Sequence, residues 1–321
     1  MKETHLYFAA CEKDGGIEHY LMRNGRIIFQ EKTACESPMY LDIEDDILHV
    51  LLRCPESLRP NSALQDFPIL ADGKTGPGGP LRDTGGVVAC HLCHWQGRVY
   101  AANYLSGSVY SSGGKTDIHE GRGPDPRRQE APHPHFIAPS PDGKYLLSCD
   151  LGLDTVFVYD AELNRTGTAG VPAGHGARHL AYSEDGNAVF CVNEMASTVT
   201  VFRYAEGRLK AAETVPSLAV PNSRNTSAAI RVKEDYVYVS QRGEDAVSVL
   251  RWDGTALRLQ GVYPCGGRSP RDILIVDDYM FCTNELSNSV SVLRLRNHEP
   301  EDTGERLEMP HPLCAVMLRK E

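Results

Sequence analysis

The segment between Arg178 and Glu194 holds the residues of this chain best suited to chemistry. A strand-like run from His179 to Ser183 leads into the turn Glu184-Asp-Gly-Asn, and a second run returns from Ala188 to Asn193. If the two runs pair antiparallel, Arg178 and Glu194 finish at the same end. There the carboxylate could draw a proton from water, while the guanidinium binds a substrate anion or the oxyanion formed as water attacks a carbonyl. The same pair would also serve as a salt bridge between strands. Arg271 and Glu285 repeat the arrangement, which keeps that structural use open. Arg242 occupies in its own segment the place of Glu194 in the one before, and its fork of donors suits bidentate recognition of carboxylate or phosphate. Its ordinary partners would be Glu244 or Asp245. His133-Pro-His135 precedes another strand-like run, Phe136 to Pro139, and imidazole near neutrality suits acid or base work. Two histidines at i and i+2 make half a metal site, yet no further ligand is adjacent, so no metal is expected.

Bringing these residues together requires a scaffold, and the sequence supplies a repeat. Five segments share one shape, with anchor residues Val109, Val156, Val199, Val247 and Val290 at intervals of 47, 43, 48 and 43. Projecting the period back two units reaches Ile17, and a degenerate unit around Asp46 to Leu52 fills the gap. The chain of 321 residues thus holds seven units of about 46 residues. Each contains an apolar run, a turn of the Asp-Gly type, an alternating run and a polar linker, which reads as four short strands. The expected fold class is all-β, a seven-bladed β-propeller forming a single domain over residues 1–321. The end runs His5 to Ala10 and Leu313 to Leu318 each lack a complete blade, so pairing them closes the ring and removes free sheet edges. On this reading the Gly/Pro-rich stretch Ala71 to Gly86 is a loop within the ring. A pair of β-sandwiches would give no constant period.

Composition narrows the partners. With 33 basic against 43 acidic residues the net charge is −10, so the positive field that phosphate-backbone binding needs is absent and no nucleic acid is expected. No window reaches the ~18 consecutive apolar residues of a membrane span, and the N-terminus lacks a secretory apolar core, so a cytoplasmic protein is expected. The ten cysteines read as reduced thiols. Cys90-His-Leu-Cys93-His94 matches a haem-attachment pattern in letters, but it lies on an expected inner strand of a chain without an export signal. Gly73-Lys74-Thr75 lacks the earlier glycine, strand and helix of a phosphate-binding loop and reads as a turn.

The run Asn103 to Val109, then His119-Glu-Gly-Arg-Gly-Pro-Asp-Pro-Arg-Arg-Gln-Glu-Ala-Pro-His133-Pro-His135, Ser140-Pro-Asp-Gly-Lys-Tyr, Ala177-Arg-His-Leu, Val192-Asn-Glu194 and Gln241-Arg-Gly243 resembles the seven-bladed lactonase family, whose best-known activity is 6-phosphogluconolactonase. The resemblance implies His135 as the channel histidine with Arg178, Glu194 and Arg242 as catalytic companions, and His133, His179, Arg271 and Asn193 as substrate contacts. One departure stands out: some members carry an acidic residue where this chain has Ser227-Ala228-Ala229. The expected activity is hydrolysis of an anionic sugar-acid lactone, 6-phosphogluconolactone foremost, in the carbohydrate metabolism of the pentose phosphate pathway. No cofactor is needed, because a strained ester requires only a positioned water, a base and oxyanion stabilisation. A monomer or weak oligomer is expected. Two other readings stand beside it, a lactonising or isomerising enzyme on another carboxylated substrate and a non-catalytic propeller scaffold.

Overall fold

The computed structural model describes residues 3–320, which form seven four-stranded antiparallel sheets arranged as blades. The inner strands lining the channel are, by blade, Pro312–Lys320, Pro38–Glu44, Ala89–Trp95, Pro134–Pro139, Ala177–Tyr182, Ser227–Lys233 and Pro270–Val276. The second strands are buried along nearly all their length, throughout in Ala188–Asn193, because neighbouring strands flank them and neighbouring blades cover both faces. Outermost strands such as Arg208–Pro216 face solvent, with no residue of that strand buried. The core therefore lies between blades. Phe136, Leu147 and Val156 of one meet Leu180, Val189 and Phe202 of the next, and each such side chain contributes ~1.5–3 kcal/mol on burial.

Ring closure follows the sequence expectation. Pro312–Lys320 pairs antiparallel with Glu3–Ala10, placing Leu6 opposite Met317 and Phe8 opposite Ala315. The repeat anchors, Ile17 included, each stand second in the third strand of their blade. In the degenerate unit that place belongs to Ser62, whose hydroxyl bonds Arg53 O and accepts from Ala89 N. The stretch Ala71 to Gly86 is shorter as a loop than expected, since Arg82–Val87 forms an outer strand. Strand pairing there needs only backbone, and glycine fits it: a Cβ on Gly86 would sit 2.3 Å from Asn103 Cγ.

One feature of the backbone positions the site. Every inner strand breaks register near its start, leaving Met39, Cys90, His135, Arg178, the pair Ala228-Ala229, Arg271 and Leu313 outside the ladder. Such bulges re-aim a side chain, here toward the channel. Proline precedes four of them, at Pro38, Pro134, Pro270 and Pro312, as the first residue of the strand where its missing N–H is tolerated.

Candidate active site

The bulged residues form one tier of the channel, and Arg53, Tyr104, Glu194, Arg242 and Glu285, each following a second strand, form the tier above. In the expected hairpin Ala177 pairs with Asn193, so Arg178 and Glu194 do end side by side, with Arg178 Nε donating to Glu194 Oε2 at 2.9 Å. Two further guanidiniums reach the same carboxylate: Arg128 Nη2 lies 2.5 Å from Oε1 and Arg242 Nη2 lies 3.0 Å from Oε2. Arg242 thus pairs across the blades with Glu194 rather than with Glu244 or Asp245, whose carboxylates accept from Asn222 and from the Ser269 amide. The Arg242 approach is an ion pair without hydrogen-bond geometry, so its Nε and Nη2 keep free donors, as does Arg178 Nη1. Arg271 and Glu285 repeat the pairing at 3.5 Å.

These groups enclose a cavity of ≈ 180 Å³ walled by Arg53, Tyr104, Arg128, His135, Glu194, Arg242 and Arg271, with Met39, Val88 and Cys90 as its apolar side. Five guanidiniums, counting Arg178, face the two carboxylates Glu194 and Glu285, so the cavity is electropositive within an acidic protein. A larger hollow of ≈ 420 Å³ lies at the far ends of two blades among Glu184, Asp185, Glu234, Asp235 and Asp253, where an anion would be repelled.

Charge sets the protonation states. Burial alone would raise the Glu194 carboxyl, but the charges of Arg242, Arg178 and Arg128 outweigh it and hold the group well below the usual carboxylate range. Burial, Arg242 and Arg271 push the Arg178 guanidinium down to about 10 despite Glu194, so it remains charged at neutral pH. Burial pushes the Cys90 thiol up to about 12, leaving it neutral. Burial, reinforced by Arg178, holds His135 and His179 well below 6.5, and burial with Arg231 does the same for His91.

Acid sensitivity follows from these imidazoles. The unfolded chain takes up protons at His91, His135 and His179 near pH 6.5 while the folded chain does not, so stability is full above that pH and declines as pH falls below it. Each group contributes a slope of up to about 1.4 kcal/mol per pH unit. Urea midpoints measured from pH 7.5 to 5 are expected to fall from about pH 6.5 downward, and midpoints level to pH 5 would refute neutral burial.

Not every expected site residue reaches the cavity. His133 stacks on Tyr104 at 4.4 Å and its Nδ1 meets Tyr104 O at 3.0 Å, because the bulge at His135 puts the two histidines in different surroundings. It supports Tyr104 from behind. Asn193, in the ladder, donates to Thr198 and Thr200 within its own blade. His179 lies beneath the cavity, on the floor described below. Three residues that the sequence reading left out belong to the walls. Arg53 and Tyr104 follow their second strands as Glu194 does. Arg128 is presented by a loop that Asp125 folds by accepting the amides of Arg127 and Arg128.

Fold and site together define a seven-bladed propeller with a guanidinium-rich channel. Residues 5–317 match the family model "Lactonase, 7-bladed beta-propeller". The uncharacterized protein YwcC of Lactococcus lactis is 32% identical over 286 residues, 82% of each chain. A solved candidate 6-phosphogluconolactonase of Bacteroides fragilis superposes with a TM-score of 0.89 at 24% identity, covering 99% of this chain and 98% of its own. The periplasmic gluconolactonase PpgL of Pseudomonas aeruginosa does so at 0.87 and 21%, covering 98% and 99%. At these identities the structural likeness establishes the fold. The chain belongs to the lactonase family of seven-bladed β-propellers.

Proposed function

We propose that the protein hydrolyses an anionic sugar-acid lactone, with 6-phosphogluconolactone as the substrate. The observation that carries this reading is the excess of guanidinium in the cavity, with donors on Arg53 and Arg242 that have no partner within the protein. Such donors bind phosphate or carboxylate tightly once water is excluded. The activities named for the Bacteroides fragilis and Pseudomonas aeruginosa proteins support it. The ten unpaired cysteines favour a reducing compartment such as the cytoplasm.

The roles divide by protonation state. His135 is neutral and accepts the proton of the attacking water. Arg178 and Arg242 face the developing oxyanion or the product carboxylate. Glu194 was the sequence-based choice of general base, but a carboxylate compensated by three guanidiniums is a weak base; it serves as the counter-ion that gathers and aims them.

Substrate class is tested through Arg242→Lys, assayed by proton release with the spontaneous rate subtracted. The charge survives and the fork is lost. Turnover of the phosphorylated lactone is expected to fall roughly tenfold to a hundredfold more than that of unphosphorylated gluconolactone, the value of one charge-assisted hydrogen bond. Equal losses on both would withdraw Arg242 from phosphate recognition, and a wild type inert on both would refute the lactonase reading.

A further inference from the structure

The channel does not end at the guanidinium tier. Below it lies a second hollow of ≈ 10 Å³, bordered by Tyr40, His135, Arg178, His179 and Asp272. A space of this size holds one water. Aromatic rings pack across the channel beside it: His91 stands 4.0 Å from Tyr40, 4.4 Å from Phe136 and 5.2 Å from His179, centroid to centroid. His179 is 3% exposed, and neither of its ring nitrogens has a hydrogen-bond partner within the protein. His135 Nδ1 and Arg178 Nη1 are likewise unpartnered. A neutral imidazole offers one donor and one acceptor, and buried polar groups are almost always paired with protein or with ordered water. Three residues bearing such atoms, His135, Arg178 and His179, border one water-sized space, which calls for a water bonded to one nitrogen of His179.

We infer that the floor binds a single water, held by His179, and that this water is the nucleophile of the proposed hydrolysis. His135 borders both hollows, so one imidazole touches the water below and the lactone above. The water oxygen bonds to the lactone carbonyl carbon from the floor side while one of its protons passes to His135. The carbonyl electron pair moves onto oxygen toward the arginine donors. Collapse breaks the bond from that carbon to the ring oxygen, which takes the proton back from the His135 imidazolium, and the new acid ionises to its carboxylate. His179 acts as a positioning residue: it fixes the water within reach of His135. The chemical step rests on the lactonase reading, whereas the water itself does not.

The test pairs His179→Phe, which keeps a ring in the aromatic packing but removes both nitrogens, with His179→Gln, which keeps a donor and an acceptor. On the lactone that the wild type turns over best, His179→Phe is expected to lower kcat by at least about tenfold with KM within about threefold, and His179→Gln to retain most of the rate. A high-resolution crystal structure of the wild type is expected to show a water within hydrogen-bond distance of His179, missing in His179→Phe. A dry floor in the wild type overturns the inference whatever the activity. So does a His179→Phe enzyme with unchanged kcat, or with a raised KM alone. Should His179→Phe not fold, the wild-type solvent structure decides whether the floor holds a water, and a His179→Gln enzyme that lacks that water yet keeps its kcat overturns the nucleophilic role. A wild type that holds the water yet is inert on every lactone overturns the proposed function, and the nucleophilic role with it.

Discussion

Replacing His135 with asparagine is expected to lower kcat for the preferred lactone by ~10²–10⁴-fold while moving KM far less, because general base catalysis acts in the transition state rather than in ground-state binding. The pH profile separates this role from a structural one. The imidazole is held well below 6.5 by burial and by the positive charge of Arg178, and only the neutral form accepts a proton. Wild-type kcat/KM is therefore expected to stay level through pH 6.5 and to fall at a lower pH, where the base protonates. An anionic substrate cancels part of the arginine field, so the acid limb of kcat, which reports the substrate complex, should lie at higher pH than that of kcat/KM. An asparagine variant within a few-fold of wild type, or an acid limb unmoved by substrate, would remove His135 from the chemistry.

Glu194→Gln is expected to cost ~3–5 kcal/mol of stability, the usual penalty for stranding buried charge by deleting its partner. Glu194 is 3% exposed and Arg178 is 2% exposed, and the carboxylate faces three guanidiniums. The hairpin sets one arginine beside this carboxylate, and the ring brings two more. Chemical denaturation measures the loss, and millimolar phosphate should restore part of it by taking the vacated charge position. A variant with wild-type stability and ~10²-fold lower turnover would return the general base role to Glu194.

Those three arginines show where a sequence stops being readable. The blade period is legible because the anchor side chains at Val109 through Val290 occupy one buried position that tolerates little else. The polar residue closing the second strand is legible for the same reason: Asn103, Asn193, Gln241 and Asn284 each bond a hydroxyl of the next strand, and all are fully buried. The Arg178 and Glu194 contact is legible because one hairpin sets it. Contacts across the channel are set instead by the ring, which joins residues from different blades, and by a one-residue bulge that separates His135 from His133. Arg128 is harder still, since it hangs from the connection between Lys115–Ile118 and Pro134–Pro139, the longest of those that join one described blade to the next. Arg53 was within reach, because the position after each second strand already held Glu194, Arg242 and Glu285.

The ring's clasp also dictates an order of events on the ribosome. Of the described strands Glu3–Ala10 is made first, and its inner neighbour Pro312–Lys320 is made last. At ~5–20 residues per second, roughly 15 to 60 seconds of translation separate them. Throughout that interval Leu6-Tyr7-Phe8-Ala9-Ala10, wholly buried in the finished protein, stands as an unclaimed apolar edge able to template pairing with another nascent chain. Translation that stops short of Pro312 makes the exposure permanent. Such a product carries the arginines and His135 of the site but has an open ring and a ready surface for aggregation.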